Sequence, residues 1–528
     1  MPARRTQLHW MKVASFVMLG AGLTAGVIFA ATSAAPEGAA PAPRQKVDPI
    51  KANGAIFEGW PKPDLAIVFT GELDGYLEPC GCAGLENQKG GLKRRATFIK
   101  QLRDQGWPVI AVDAGGQEKR TGEQATLKTE FAYQALMKMG YDVVGFGEND
   151  LKLDLLQMVL NFEDEKKNPL VSANVGIVDF DSGYTKPYKI IERGGMKIGI
   201  TTVLGKKQLA QFKNSPDYKV LDPELAIPRF AADLLNAKCD HLILLVNADP
   251  DEAKALAAKY RSLNFDWVMI THGAEEPPNV LATVTYPQNK LTTNLVEVGH
   301  KGMYAVVIGF YKNGSPAVRY QRVPLDHRFA DSQEIYNMQV EYQRKLQQLG
   351  WSGLNLKTLP HPNGGKFAGS KVCADCHTNA AEVYEHTPHS HAMETLQKRT
   401  NPPREFDPEC VSCHVVGWES QKHFPFESGF VSMQKTPQLA DVGCENCHGP
   451  AAGHVAAEQG ETQVSDAEKE KLREQLRMKI VPNEGNQPGQ VFDKGKVVQT
   501  CVQCHDTDNS PSFDFQKYWP KVKHEGKD

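Results

Sequence analysis

Two hydrophobic rhythms divide the chain. Between residues 64 and 325, short apolar runs end in Gly, Asp or Asn: "DLAIVFTG", "WPVIAVDAGG", "YDVVGFG", "NPLVSANV", "KIGITTVLG", "DHLILLVNAD" and "DWVMITHG". Runs this short and this rich in β-branched residues predict buried strands. Segments such as "LKRRATFIKQLRDQ" and "KTEFAYQALMKMG" lie between them and carry a helical spacing of apolar positions. Strands that alternate with helices predict an α/β domain with a mainly parallel sheet, whose functional residues belong at the carboxyl ends of the strands. Residues 332–351, "DSQEIYNMQVEYQRKLQQLGW", predict one further helix, and a linker continues to 365. From 366 to 528 the pattern changes. Long aliphatic runs disappear, loops such as "NPPREFDPE" and "NEGNQPGQ" multiply, and the side chains alone predict a thin core.

The N-terminus follows neither rhythm. Arg4, Arg5 and Lys12 precede a run without charge from Val13 to Ala35 that ends in small residues. This is an export signal, either cleaved or kept as a membrane anchor. Residues 36–63 read as a Pro/Ala linker. The expected location is periplasmic or otherwise extracytoplasmic, with membrane association if the segment is retained. The organisation predicted is 1–35 signal or anchor, 36–63 linker, 64–325 α/β domain, 326–365 helix and linker, and 366–528 a mainly α-helical domain.

Hydrophobic content is 41% and formal net charge −3, so no basic face marks a nucleic-acid binder. A mean hydropathy of −0.43 excludes a polytopic membrane protein. The 11 cysteines change the picture most. Eight stand in four CxxCH units: Cys373-Cys376-His377, Cys410-Cys413-His414, Cys444-Cys447-His448 and Cys501-Cys504-His505. Zinc sites and disulfides use related spacings, but neither needs a histidine after every second cysteine. CxxCH attaches haem c: both thiols bond one porphyrin edge, and the adjoining histidine reaches the iron. Four covalently bound haems would also fill the thin core. Among the remaining histidines of this region, "EHTPHSHAMETL" offers His386, His389 and His391; His454 and His524 are further candidates for sixth ligands, and His423 reads as a surface residue. His454 follows its own proximal histidine too closely to serve the same haem, so it is expected to serve a neighbour. The charged insert "SDAEKEKLREQLRMK" predicts a solvated helix.

"CENCHGPAAGH", "TPHSHAMETL" and "CVQCHDTDNSPSF" resemble the cytochrome c-554 family of tetrahaem proteins, with related motifs in hydroxylamine-oxidising and nitrite-reducing multihaem enzymes. The resemblance implies closely packed haems that pass electrons. It assigns His389, His454 and His524 as distal ligands and leaves one haem five-coordinate. Redox partner proteins or quinone-linked donors are the partners it implies.

"GELDGYLEP…GGLKRRATFIKQLR", "VIAVDAGG", "MGYDVVGFGEND", "VSANV" and "MITHG" resemble the calcineurin-like metallophosphoesterases, in the 5′-nucleotidase branch. That implies a four-layer α/β/β/α sandwich with a two-metal site that would activate water. The ligands depart from the family. Its Asp-x-His falls at Glu72-Leu-Asp74, its bridging Asp at Gly116, its Asn-His pair at Glu148-Asn149, and a later His at Asn247; of the last His-x-His only His272 remains. A degenerate domain without the usual hydrolysis is expected. The carboxyl cluster of Glu72, Asp74, Glu148 and Asp150 leaves room for one further, hard metal ion. Cys80 and Cys82 stand at the same rim, where a redox pair, a soft-metal site with His272 or a haem contact are the functional readings. Two overall functions result: an electron-transfer protein with a docking or regulatory module, or an oxidoreductase acting on a small nitrogen or sulfur compound at an open haem or at Cys80/Cys82; the lost ligands argue against a third, a bifunctional hydrolase-cytochrome.

Overall fold

The computed structural model describes residues 47–79, 88–160, 168–478, 500–506, 508–510 and 513–526. Among the described residues, thirteen strands form the α/β domain: β1 (Leu65–Thr70), β2 (Val109–Asp113), β3 (Val143–Val144), β4 (Val175–Ile177), β5 (Lys189–Arg193), β6 (Met196–Leu204), β7 (Tyr218–Val220), β8 (His241–Asn247), β9 (Phe265–Ile270), β10 (Ala282–Thr285), β11 (Thr292–Glu297), β12 (Tyr304–Phe310) and β13 (Val318–Pro324). One sheet has the order β13-β12-β1-β2-β3 and the other β10-β11-β9-β8-β6-β5. β1, β2 and β3 run parallel, as do β6, β8, β9 and β11. Antiparallel strands close three of the four sheet edges, and the fourth is β3, parallel to β2.

Strand periodicity builds the layers. Leu65, Ile67 and Phe69 of β1 meet Ile243 and Leu245 of β8 between the two sheets. Ala66 and Val68 point the other way, under the helices Leu92–Asp104 and Glu123–Lys138. Leu242, Leu244 and Val246 of β8 face the helices Pro223–Asn236 and Pro250–Tyr260. Strands buried on both faces need apolar residues at every position, which is why their sequences read as unbroken runs. The result is the four-layer sandwich expected. The helix predicted at 332–351 spans Gln333–Gly353 and packs Ile335, Tyr342 and Leu346 into the outer core against the helices Leu92–Asp104 and Glu123–Lys138.

The linker expected over 36–63 is corrected in its second half. Asp48 caps a short helix, Pro49–Asn53, and the Phe57 ring centroid lies 5.1 Å from Trp60 and 5.2 Å from Trp107. Aromatic burial of this size outweighs the Pro/Ala bias of the preceding stretch. The apolar run 13–35 and Cys80 and Cys82 lie outside the described residues. Among the described residues, no helix is long and apolar enough to cross a membrane.

The C-terminal region is short helices and loops around one small cluster: Met393, Leu396, Val411, Val415, Val416, Trp418, Phe430 and Leu439. Glu445, inside the third CxxCH unit and buried, stitches the region together. Its carboxylate accepts from the backbone N–H groups of Ala368 (2.9 Å), Gly369 (2.7 Å) and Ala451 (2.8 Å). Replacing Glu445 by alanine strands those donors and is expected to cost about 2 kcal/mol. Denaturant unfolding of the holoprotein, followed at the haem band, checks this.

Candidate functional site

Each CxxCH unit winds as one helical turn. The second lies at the end of the helix Pro408–His414, and the third is the helix Cys444–His448. In the first, His377 N–H donates to Cys373 O at 2.9 Å, and in the fourth His505 N–H donates to Cys501 O at 2.8 Å. A turn of this kind sets two sulfurs along one line with the imidazole beneath them. None of the described cysteines is disulfide-bonded. Folding brings the units together in twos. The thiols of Cys373 and Cys444 are within hydrogen-bonding reach, as are those of Cys413 and Cys504.

The spare histidines come to the proximal ones. Ring centroids lie 6.4 Å apart for His377 and His454, 6.0 Å for His389 and His505, and 5.7 Å for His448 and His524. Direct ring stacking would be closer. Two imidazoles on one iron, each with a bond of about 2 Å and a ring centre about 1 Å further back, stand about 6 Å apart. The three pairs therefore fit haem iron between them. Tautomers agree: His448 Nδ1 lies 2.8 Å from Leu476 O, and His414 Nδ1 lies 2.6 Å from Ala392 O. A carbonyl only accepts, so Nδ1 carries the proton and Nε2 is left for metal. When bound, haem held this way exchanges single electrons without opening a coordination position.

Of the other histidines, His386 Nδ1 turns to Glu382 O (2.7 Å) and His391 is exposed beside Glu394 (3.9 Å). His423 is not the surface residue expected. It is half-buried, 2.8 Å from Ser412 Oγ, and burial pushes its imidazole down to about 4.

The second cluster stands at the carboxyl ends of β1, β2, β8, β9 and β11. Among the described residues, Glu72, Asp74 and His300 are the metal-ligating group whose ligand atoms lie within 4.8 Å of one another. His300 Nδ1 is 3.1 Å from Asp74 Oδ2 and 3.7 Å from Glu72 Oε2. His272 Nε2 lies 3.6 Å from Glu72 Oε1 and 3.2 Å from Asn247 Oδ1. Asn247 Nδ2 donates to Glu72 Oε1 at 2.8 Å. Glu72, Asp74 and His272 all hold left-handed backbone (φ 48°, 56° and 54°), a strained state for side chains of this kind.

Two departures from the family turn out to be complementary. A Cβ on Gly116 would sit 2.6 Å from Glu72 Oε1. The longer Glu72 fills the space that the bridging Asp of a phosphoesterase would take. Burial, then Asp74 beside it, pushes the Glu72 carboxyl well above its ordinary range; the hydrogen bond to Asp74 raises His300. Burial lowers His272. His300 Nδ1 thus stands between the carboxyl groups of Asp74 and Glu72, nearer to Asp74.

Sequence reasoning missed His300. It stands just past the carboxyl end of β11, where the strand-end rule alone would have marked it. Glu148 does not join the cluster; it pairs with Lys152 (3.1 Å) and accepts from Gln211 Nε2 (2.5 Å). Asp150 is spent on backbone, accepting from Gly147 N (2.8 Å), Gly116 N (2.9 Å), Gln117 N (2.9 Å) and Glu118 N (3.2 Å). With two carboxylates and the His300 imidazole in place of four carboxylates, the donor set suits a borderline divalent ion rather than the hard ion expected.

The two sites touch. Asp508, three residues past His505, pairs with Tyr76 and Lys301, neighbours of Asp74 and His300. Glu409, the residue before Cys410, pairs with Arg120 (2.7 Å) and Lys128 (2.5 Å). Lys128 in turn donates to Gly75 O at 3.0 Å. Gly75 has φ +80°, and a Cβ there would lie 2.6 Å from the Glu118 carboxylate. The loop from Glu72 to Tyr76 is thus bracketed by the second and fourth CxxCH units.

Comparison with known proteins agrees with this division. Residues 372–449 match the family described as cytochrome c554 and c-prime. Cytochrome c-554 of Nitrosomonas europaea is 34% identical over 96 residues, 16% of this chain and 38% of that protein. Snake venom 5′-nucleotidase of Gloydius brevicauda is 26% identical over 210 residues, 38% of this chain and 36% of that protein. A 5′-nucleotidase precursor from Thermus thermophilus superposes with a TM-score of 0.43 at 15% identity, over 54% of this chain and 59% of that one. The chain spans 36% and 38% of the length of these two curated relatives. It joins a 5′-nucleotidase-like α/β domain to a C-terminal region similar to the cytochrome c554 and c-prime family.

Proposed function

We propose that this chain is an exported electron-transfer protein carrying four haem c groups, one on each CxxCH unit, in a periplasmic or similar compartment. The observation that supports it is the set of three facing imidazole pairs, each joining a CxxCH histidine to a distant one. Redox proteins or quinone-linked donors are its partners. The α/β domain is a docking module without phosphoester hydrolysis: Asn247 bonds to Glu72 and His272, and His300 to Asp74, where a two-metal centre would need open ligands.

Intact mass and the ferric spectrum of the purified holoprotein test the reading. Four added haems, and a phosphomonoester assay that stays at background with added Mn²⁺ or Zn²⁺, are expected. A colourless protein, fewer haems or metal-dependent turnover would overturn it. A second reading is turnover of a small nitrogen or sulfur compound at an open haem or at Cys80/Cys82. The contacts of Asp508 and Glu409 favour it, because they hold the strand-end cluster of Glu72, Asp74 and His300 beside two CxxCH units. A ferric spectrum that responds to nitrite or hydroxylamine would support it over the first.

A further inference from the structure

The charged insert forms the helix Asp466–Leu476, and it reaches two proposed iron ligands that belong to different haems. Ser465 caps its start, accepting from Glu468 N–H at 3.2 Å. It lies along the helix Ala452–Glu458, close enough that Leu472 Cδ2 would be 3.9 Å from a Cβ on Gly453. Its first contact comes from its end. The last carbonyls of a helix have no partner inside it. Leu476 O is one of these, and it accepts from His448 Nδ1 at 2.8 Å. Its second contact runs through a relay. Arg473 forks onto Glu458, Nε to Oε1 at 2.8 Å and Nη2 to Oε2 at 3.0 Å. Glu458 Oε1 stands 3.7 Å from His454 Nδ1, a buried nitrogen that has no hydrogen-bond partner.

We propose that this helix sets the electron affinity of two haems: Leu476 O polarises His448, and Arg473 holds the Glu458 carboxylate back from His454. The inference rests on the axial ligation proposed above. An acceptor on the outer imidazole nitrogen makes the ligand more basic and favours ferric iron. A carboxylate does this more strongly than a carbonyl, because its bond is charge-assisted. Arg473 competes for the same oxygens in bidentate geometry, so the 3.7 Å separation reflects a balance that a single substitution tips. Glu458 and Arg473 are positioning residues and touch no iron.

The signs differ between variants. Arg473→Gln frees Glu458 to accept from His454 and lowers the reduction potential of the haem between His377 and His454. Glu458→Gln removes the acceptor charge and raises it. In a Glu458→Gln background, Arg473→Gln adds nothing, since its route is gone. A redox titration of the intact holoprotein reads this as one of four steps moving about tenfold in its ferric-to-ferrous equilibrium, ~59 mV for one electron. Arg477→Gln, which removes the same charge from the same helix beside Glu470 and Glu474, leaves all four steps in place. Four unmoved steps in Arg473→Gln, or singles that simply add in the double variant, would overturn the relay. Fewer than three low-spin irons in the unsubstituted protein would overturn the ligation itself, and this inference with it.

Discussion

Replacing His454 by alanine is expected to turn one low-spin iron of the holoprotein high-spin and open it to cyanide. His454 faces His377 at 6.4 Å from a helix whose other contacts do not depend on the imidazole. On the ligation proposed above, removing it would leave the haem on Cys373 and Cys376 with a single axial ligand. A five-coordinate iron binds exogenous ligands that a bis-histidine iron resists. The effect is all-or-none for that centre: the ferric spectrum gains a high-spin band, electron paramagnetic resonance shows it, and cyanide titrates it with one equivalent. His391→Ala, an exposed neighbour in the same region, serves as the control and leaves the spectrum unchanged. A His454→Ala protein whose irons all stay low-spin would remove His454 from the ligand set.

The second large effect lies at the contact between the two halves. Glu409→Ala is expected to destabilise the protein by about 3 kcal/mol, because it leaves the Lys128 ammonium, 8% exposed, without its nearest counter-charge. Arg120 loses its partner as well, though it is more exposed and contributes less. Acid reproduces the loss. Burial raises the Glu409 carboxyl, but Lys128 and Arg120 outweigh it and hold the group down to about 2. An unfolded glutamate titrates near pH ~4.3. The group therefore stabilises the fold fully above that value and progressively less as pH falls from there through about 2. Thermal melts of the holoprotein at neutral pH and near pH 3 check both statements: the gap between unsubstituted and Glu409→Ala protein narrows in acid. An equal gap at both pH values would mean that Lys128 is balanced by other groups.

What the sequence disclosed depended on how local the information was. CxxCH is a covalent motif five residues long, and the strand runs announce themselves by composition. Both were legible. His389, His454 and His524 could be picked out as spare, but not matched to partners, because each meets its proximal histidine only through tertiary packing. His300 could have been marked by its strand-end position alone; its partner was not legible, because it reaches Asp74 across 226 residues of sequence. Alignment with a family also misleads about direction. Glu148 occupies a ligand position by order along the chain, yet Lys152, one helical turn on, and Gln211 draw its carboxylate away. The exchange at Gly116 and Glu72 looked like two separate losses until the space between them was seen to be shared.

Asp508 and Glu409 bear on more than the loop they grip. A polypeptide cut within the connector after Gly353 would stay in one piece, since parting would strand Lys128, Lys301 and Tyr76 in unfavourable company. The segment carrying Asp508 begins at the fourth CxxCH turn, so whatever fixes that turn also fixes one jaw of the grip on the loop from Glu72 to Tyr76.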